Sequence, residues 1–464
     1  MSRYLPVVLL SMVFGCHLVS AQVTTGTILG TVSDSTGAVV PGARVTIKSM
    51  DTGATRTLTT DAAGRYVAPQ LALGKYEVTA EADGFQRMLR SGIELSVGQQ
   101  AAVSFSLTVG TVAEEVTVSS EAPLIETTTS SVSGLVNPAQ MRDLPLNARS
   151  YEQFAFLQPN VFAWRNTTSS TVNGFAPKIS AAGMRTGYNA YVVDGIDILD
   201  TSGQTPGSAA GQLMGVETLR EVRVLTNNYP AQYGNALGAV IEVASRGGTN
   251  QLHGSLFEFL RNNKLDARNF FDGQKPPLKR NQLGGILGGP IVKDRVFFFG
   301  SYEALRERKT ITNTVFVPSL TARQGPVNPV VAPYLALYPL PSGSPGTGST
   351  ASYAYLFNGK VREDFVTGRA DYQRSNKTSY FARYSFDDTD KVQLAGSLVV
   401  PPWAQGLVSR NQTLVLAETR IFTPQVINEL RAGFIRSTPR TRLLLNGPDP
   451  KLHLDRKSVV RERV

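Results

Sequence analysis

Short β-prone runs divided by turn residues fill residues 26–107. The runs are 27–32, 43–48, 55–60, 66–67, 76–82 and 101–107, and the breaks include Asp34-Ser35-Thr36-Gly37, Asp51-Thr52-Gly53, Asp61-Ala62-Ala63-Gly64 and Leu73-Gly74. Turn signals at about ten-residue spacing, with β-branched residues between them, predict a β-sandwich of roughly seven strands. Beyond Asn250 the rhythm changes to alternating segments at 255–260, 282–289, 296–303, 367–373, 378–386, 412–421 and 425–435. In 378–386, Tyr380, Ala382, Tyr384 and Phe386 fall on one face, while Ser379, Arg383 and Ser385 share the other with Phe381. An apolar outer face and a mixed or polar inner one is what a membrane β-barrel wall requires. The long irregular stretch 317–354, rich in Pro and Gly, fits an extracellular loop better than the interior of a compact soluble domain.

Two features of this second region invite other readings. Gly284, Gly285, Gly288 and Gly289 suggest a phosphate cradle, but no Lys-Ser follows. The run Pro290-Ile291-Val292-Lys293-Asp294-Arg295 supplies a hairpin turn into Phe297-Phe298-Phe299 instead. The clusters Phe297-Phe298-Phe299 and Phe270-Phe271 suit interfacial girdles, with ordinary core packing as the alternative.

The first region carries G-T-V-x-D-x-x-G-x-x-x-P-G-A-x-V-T at 30–46, T-D-x-x-G-x-Y at 60–66 and G-K-Y-E-V-T-A-E-A-D-G-F at 74–85. In these motifs it resembles the carboxypeptidase-regulatory-like domain, which implies a non-catalytic β-sandwich, in some members classed with carbohydrate-binding folds. The chain has no His-Glu-x-x-His, and beyond residue 21 its histidines are His253 and His453, so neither a zinc hydrolase nor a catalytic triad can be assembled. No enzyme activity and no cofactor are expected.

Next comes a hexapeptide, Glu114-Glu115-Val116-Thr117-Val118-Ser119, beside a Ser/Thr-rich run at 130–133. Taken alone it is either a last sandwich strand or an extended segment able to pair with the sheet edge of a partner. Downstream stand Leu144-Pro145-Leu146-Asn147-Ala148-Arg149, Gly183-Met184-Arg185, Tyr191-Val192-Val193-Asp194-Gly195-Ile196 and the run 216–224, in that order. Ala231-Gln232-Tyr233-Gly234, Gly238-Ala239-Val240-Ile241 and Arg246-Gly247-Gly248-Thr249-Asn250 close the series. The series resembles the plug domain of TonB-dependent outer-membrane receptors, particularly the Oar-like group that carries the regulatory-like domain in front. The resemblance makes Glu115, Val116, Thr117, Val118 and Ser119 the TonB box, the strand that the TonB protein would pair with. From the residues themselves, Asp194-Gly195 is a tight turn and 216–220 a brief helix or turn before a buried strand. Arg185, Glu217, Arg220, Glu221 and Arg223 are expected to pair with the polar inner wall of a barrel.

The start of the chain has Arg3, an apolar stretch at 5–14 and small residues at Val19-Ser20-Ala21, the pattern of a secretory signal cleaved before Gln22. Phe14 is too bulky two residues before Cys16 for a good lipoprotein junction. Cys16 is the sole cysteine, so the mature chain has no disulfide framework. No second apolar run reaches the about 18 residues of a membrane helix, which leaves a closed β-barrel as the route across lipid. The net charge is +10, with seven cations against three anions among residues 440–464 and the remainder dispersed. No basic stripe argues for nucleic acid.

The expected fold class is mainly β: an N-terminal β-sandwich, a mixed α/β plug and the first strands of a transmembrane β-barrel of about 22 strands. The expected divisions are 1–21 signal peptide, 22–109 sandwich, 110–135 connector, 136–250 plug, 251–440 partial barrel and 441–464 an atypical charged tail, for which an assembly artefact is one reading. The stretch 252–440 has room for about eight to ten strands, so the chain reads as a fragment. The resemblance implies energy-coupled uptake of an unidentified extracellular substrate across the outer membrane of a Gram-negative-type cell. The partners are then TonB and outer-membrane lipid, with the N-terminal domain in the periplasm. The alternative is a surface binding or adhesion protein with a glycan-binding sandwich.

Overall fold

The computed structural model describes residues 24–110, 115–119, 131–144, 149–164, 178–199, 207–210, 215–229, 233–234, 236–268, 275–329, 332–336, 338–342, 348–394, 404–424 and 426–444. The expected signal peptide, Phe270-Phe271 and most of the charged tail lie outside these residues.

Nine strands build the N-terminal unit: β1 (Gly26–Asp34), β2 (Arg44–Ser49), β3 (Thr55–Thr59), β4 (Arg65–Leu71), β5 (Gly74–Glu81), β6 (Arg87–Leu95), β7 (Gln100–Ala102), β8 (Phe105–Leu107) and β9 (Glu115–Ser119). They form two sheets, one ordered β4-β1-β7 with β8 also on β1, the other β3-β2-β5-β6-β9. Period-two alternation turns Val45, Ile47, Tyr76, Val78 and Ala80 into a shared core with Ile28, Phe105 and Leu107. The turn chemistry is local. Asp34 Oδ1 accepts hydrogen bonds from the amides of Thr36 at 2.8 Å and Ala38 at 2.9 Å, and Asp61 Oδ1 does the same for Ala63 at 2.9 Å and Arg65 at 2.8 Å.

The next unit contains β10 (Val132–Val136), β11 (Val161–Trp164), β12 (Lys178–Ala181), β13 (Ala190–Val193), β14 (Ile196–Asp197), β15 (Leu219–Asn227) and β16 (Val240–Ser245). Its sheet runs β10-β15-β16-β13-β14, with β13 parallel to β16. Helix α1 (Pro138–Asp143) begins at a capping box, Gln140 N donating to Asn137 Oδ1 at 2.9 Å and Asn137 N to Gln140 Oε1 at 3.1 Å, with Pro138 in the first turn. The β13–β14 hairpin turns through Asp194 (φ 49°) and Gly195 (φ 78°), the left-handed pair of a tight two-residue turn.

The last unit is a meander: β17 (His253–Asn262), β18 (Leu278–Val292), β19 (Val296–Pro318), β20 (Thr350–Ser375), β21 (Thr378–Leu394), β22 (Ala404–Thr423) and β23 (Val426–Ser437), each antiparallel to the next. A short β24 (Arg440–Leu444) continues beside β22, so the tail expected from residue 441 starts as strand. Among the described residues β17 and β23 do not pair, and the sheet is open. The wall is inverted relative to a soluble sheet. Leu256, Leu287, Tyr302, Val366, Tyr384, Leu416, Leu430 and Phe434 are exposed on one face, while Gln282, Glu303, Glu363, Thr367, Arg383 and Asp387 are buried on the other. The glycine-rich run lies in β18 and leads through a turn into β19, as the hairpin reading requires. Phe297 and Phe299 point inward and are buried, so the girdle reading fails for both. A Cβ on Gly248 would stand 2.8 Å from Phe297 Cβ, so the end of the plug unit approaches the wall too closely for a larger residue. The loop between β19 and β20 carries two short helices, α2 (Leu320–Gln324) and α3 (Ala332–Leu335).

Candidate functional site

The seam between the second unit and the strand wall is built from charge. Asp194, the first turn residue of the β13–β14 hairpin, is 3% exposed. Its Oδ1 accepts the Ser245 amide at 2.9 Å, its Oδ2 accepts the Ser245 hydroxyl at 2.7 Å, and Arg383 Nε of β21 lies 3.1 Å from Oδ2. Arg369 of β20 stands 3.9 Å from Asp194, donates to Ser245 Oγ at 2.8 Å and to Asp371 at 2.7 Å, and Arg431 of β23 donates to the Asp194 carbonyl. Burial works to raise the Asp194 carboxyl, but Arg383, Arg369 and the Ser245 hydrogen bonds outweigh it and hold the group below the ordinary carboxylate range.

A second cluster sits at the β15 end. Arg149 donates to Glu217 at 2.7 Å and lies 3.5 Å from Glu303 of β19. Its guanidinium also stacks over Phe257 and Phe259 of β17, at 4.6 and 4.5 Å from the ring centres. Glu303 additionally accepts from Gln282 at 2.7 Å and from the Gly215 amide at 3.2 Å.

The five charges expected to meet a barrel wall divide differently. Glu217 reaches it through Arg149, whereas Arg220, Glu221 and Arg223 turn to the N-terminal sandwich. Arg220 lies 3.4 Å from Asp51, Glu221 accepts the Val97 amide at 3.0 Å, and Arg223 donates to the Val97 carbonyl at 2.9 Å. Arg185 is exposed. All three lie on β15, whose Glu221 pairs in register with Ala244, next to the Ser245 that meets the wall. Sequence reasoning read Asp194 only as a turn residue. The one available signal was Arg383, a cation on the polar face of a wall strand.

Below the seam, Glu242 of β16 is fully buried, and its Oε2 accepts the Tyr233 hydroxyl at 3.0 Å. Burial pushes this carboxyl up to about 7, with Tyr233, Arg223 and Arg431 opposing and Glu221 adding to the rise. Because the native carboxyl holds its proton to higher pH than the unfolded one, its contribution is full below about pH 4.5 and is lost as pH rises through about 7. The loss is on the order of 3 kcal/mol. The urea midpoint of the plug in the detergent-solubilised receptor is therefore expected to fall between about pH 5 and about pH 8, and Glu242→Gln to flatten that fall. A wild-type midpoint that rises over the same interval contradicts the assignment.

The residues expected to pair with TonB, Glu115, Val116, Thr117, Val118 and Ser119, form β9, which runs parallel to β6 from Arg87↔Glu115 to Ser91↔Ser119. They close the sheet β3-β2-β5-β6-β9 at one end.

Family models match all three units: a carboxypeptidase regulatory-like domain over residues 27–108, a TonB-dependent receptor plug domain over 124–240, and an outer-membrane β-barrel domain over 244–328 and 324–452. The TonB-dependent transporter Oar of Myxococcus xanthus is 28% identical over 314 residues, covering 64% of this chain and 28% of that protein. Among solved structures, the outer-membrane transporter YddB of Escherichia coli is similar at 15% identity and a TM-score of 0.46, covering 67% of this chain and 39% of that one. The siderophore receptor PirA of Acinetobacter baumannii is similar at 16% identity and 0.40, covering 68% and 45%. At these TM-scores neither likeness carries weight. A plug domain seated by ion pairs against outer-membrane barrel strands, behind a regulatory-like sandwich, defines a plugged outer-membrane receptor. The chain carries the plug and barrel domains of TonB-dependent receptors behind a regulatory-like domain, is similar to Oar, and spans about 28% of the length of that relative.

Proposed function

We propose that this receptor takes up an extracellular substrate through its plugged barrel, driven by TonB pairing with Glu115–Ser119 on the periplasmic side of a Gram-negative-type outer membrane. One observation carries the reading: the plug is held to the wall by buried polar and ionic contacts around Asp194 and Arg149. Such a joint can separate into water without exposing an apolar core. The connector also leads to β10, the marginal strand of the plug sheet, so tension on residues 115–119 arrives first where the sheet has only one neighbour to lose. No covalent step is required of the chain.

The test is a pulldown of the TonB C-terminal domain on the full-length receptor, wild type beside Val116→Pro/Val118→Pro, which deletes two backbone donors. Wild-type binding that drops at least tenfold in the variant supports coupling. Failure of the wild-type receptor to retain TonB, in the presence or absence of cargo, contradicts it.

A further inference from the structure

The outward face of the wall changes character toward its long loops. The turns at 293–295, 376–377 and 424–425 are short, and the sandwich meets that end, where Asn376 Nδ2 donates to Thr55 Oγ1 at 3.0 Å. The long connections 263–277, 319–349 and 395–403 leave the opposite end, which in outer-membrane barrels faces the exterior. Leu416 of β22 and Leu430 and Phe434 of β23 form an exposed apolar strip on the outward face. Further toward the long-loop end the same strands carry arginine instead. Arg436 stands in register with Gln412, and β24 extends the column with Arg440 opposite Val408 and Arg442 opposite Gly406.

Period two puts Arg410, Arg436, Arg440 and Arg442 on the side of Leu416 and Phe434, and all four are exposed. They line one cleft together with Asp388, the single carboxylate there among the described residues. Asp388 is already engaged, with Arg362 at 2.6 Å and Arg410 at 2.8 Å. Among the described residues no carboxylate pairs with Arg436, Arg440 or Arg442, and the last two stand about 7 Å apart along their strand. Guanidinium groups gathered in this way repel one another unless an anion lies between them. Their planar forks match the oxygens of a phosphate two at a time.

We propose that this cleft binds the phosphate of an outer-leaflet lipid headgroup, whose acyl chains lie along the strip of Leu416, Leu430 and Phe434. Clustered cations at a membrane surface recognise anionic headgroups, and headgroup phosphate is the anion present at the height where an apolar wall turns charged. A free phosphate would satisfy the arginines but make no use of the strip beside them, so the pairing of the two surfaces selects a lipid. The site is independent of the plug, the cargo and TonB. Its arginines lie on the face opposite Arg383 and Thr413, whereas the plug is seated on the inner face through Asp194 and Arg149.

The test titrates the full-length receptor in detergent micelles with diphosphorylated lipid A, with the same lipid stripped of its phosphates, and with inorganic phosphate. The wild-type receptor is expected to bind the phosphorylated lipid at least about tenfold tighter than the stripped one. Arg436→Gln/Arg440→Gln/Arg442→Gln should abolish that preference while the protein keeps the heat-modifiable mobility of a folded barrel. Lysine at the three positions should recover only part of it, since a point charge lacks the fork. Equal wild-type affinity for the two lipids overturns the proposal without recourse to any variant, and so does a folded triple variant that keeps the full preference. Inorganic phosphate that displaces the phosphorylated lipid at equal concentration overturns it in favour of a free-anion site.

Discussion

Replacing Asp194 with Gly, which tolerates its φ of 49°, is expected to destabilise the seating of the plug by about 3–5 kcal/mol, the cost of stranding buried charges whose partner has been removed. Arg383 is 6% exposed and Arg369 is also held in the seam, so neither guanidinium regains full hydration when the carboxylate goes. The Ser245 amide and hydroxyl lose their acceptor as well. Hydrogen exchange read by mass spectrometry on the solubilised receptor should show the amides of β13 and β16 opening roughly 10²- to 10⁴-fold more often. Removing Arg383 in the same background should restore part of the loss, with a coupling of about 1–3 kcal/mol between the two changes. Additive effects would place the two side chains in separate networks, contrary to the 3.1 Å contact.

Arg149 is the other large effect. Its side chain neutralises Glu217 and Glu303 at once and stacks on two wall phenylalanines. Truncation leaves two carboxylates facing each other across the seam, at about 3–5 kcal/mol. Arg149 adopts φ 52°, so Arg149→Gly, which tolerates that backbone, isolates the side-chain loss from strain, and Arg149→Ala adds a strain component. Arg149→Lys should recover little, since a point charge cannot reproduce the planar fork or its stacking on Phe257 and Phe259. The readout is exchange in residues 215–227. Full rescue by Lys would reduce the cluster to simple charge balance.

What the sequence disclosed follows the range of the forces involved. The sandwich turns at Asp34 and Asp61 are set by side chains bonding their own neighbours, so the motif carries the geometry with it. The wall strands were visible because period two is written in the residues, and Arg383 stood out on the polar face of β21. Their lengths were not visible. Beyond Glu303 the continuation of β19 reads Ala304, Leu305, Arg306, Glu307, Arg308 and Lys309, where the apolar alternation fades although pairing with β20 continues to Pro318. Charge partners were least legible. Arg220, Glu221 and Arg223 look no different in sequence from wall-facing charges, and only the docking of the sandwich through Asp51 and Val97 assigns them. Asp194 carried two roles in one residue, and its backbone role masked its electrostatic one.

The measurement that bears most directly on a lipid-facing wall closed by an ion-paired plug is the behaviour of the receptor on fractionation and on gels. An outer-membrane location, with unheated protein migrating ahead of boiled protein, is the predicted result, because a membrane barrel resists detergent until heated. Recovery in the soluble periplasmic fraction, with a single mobility before and after heating, would contradict it: the exposed row from Leu256 to Phe434 would then have to face water rather than lipid.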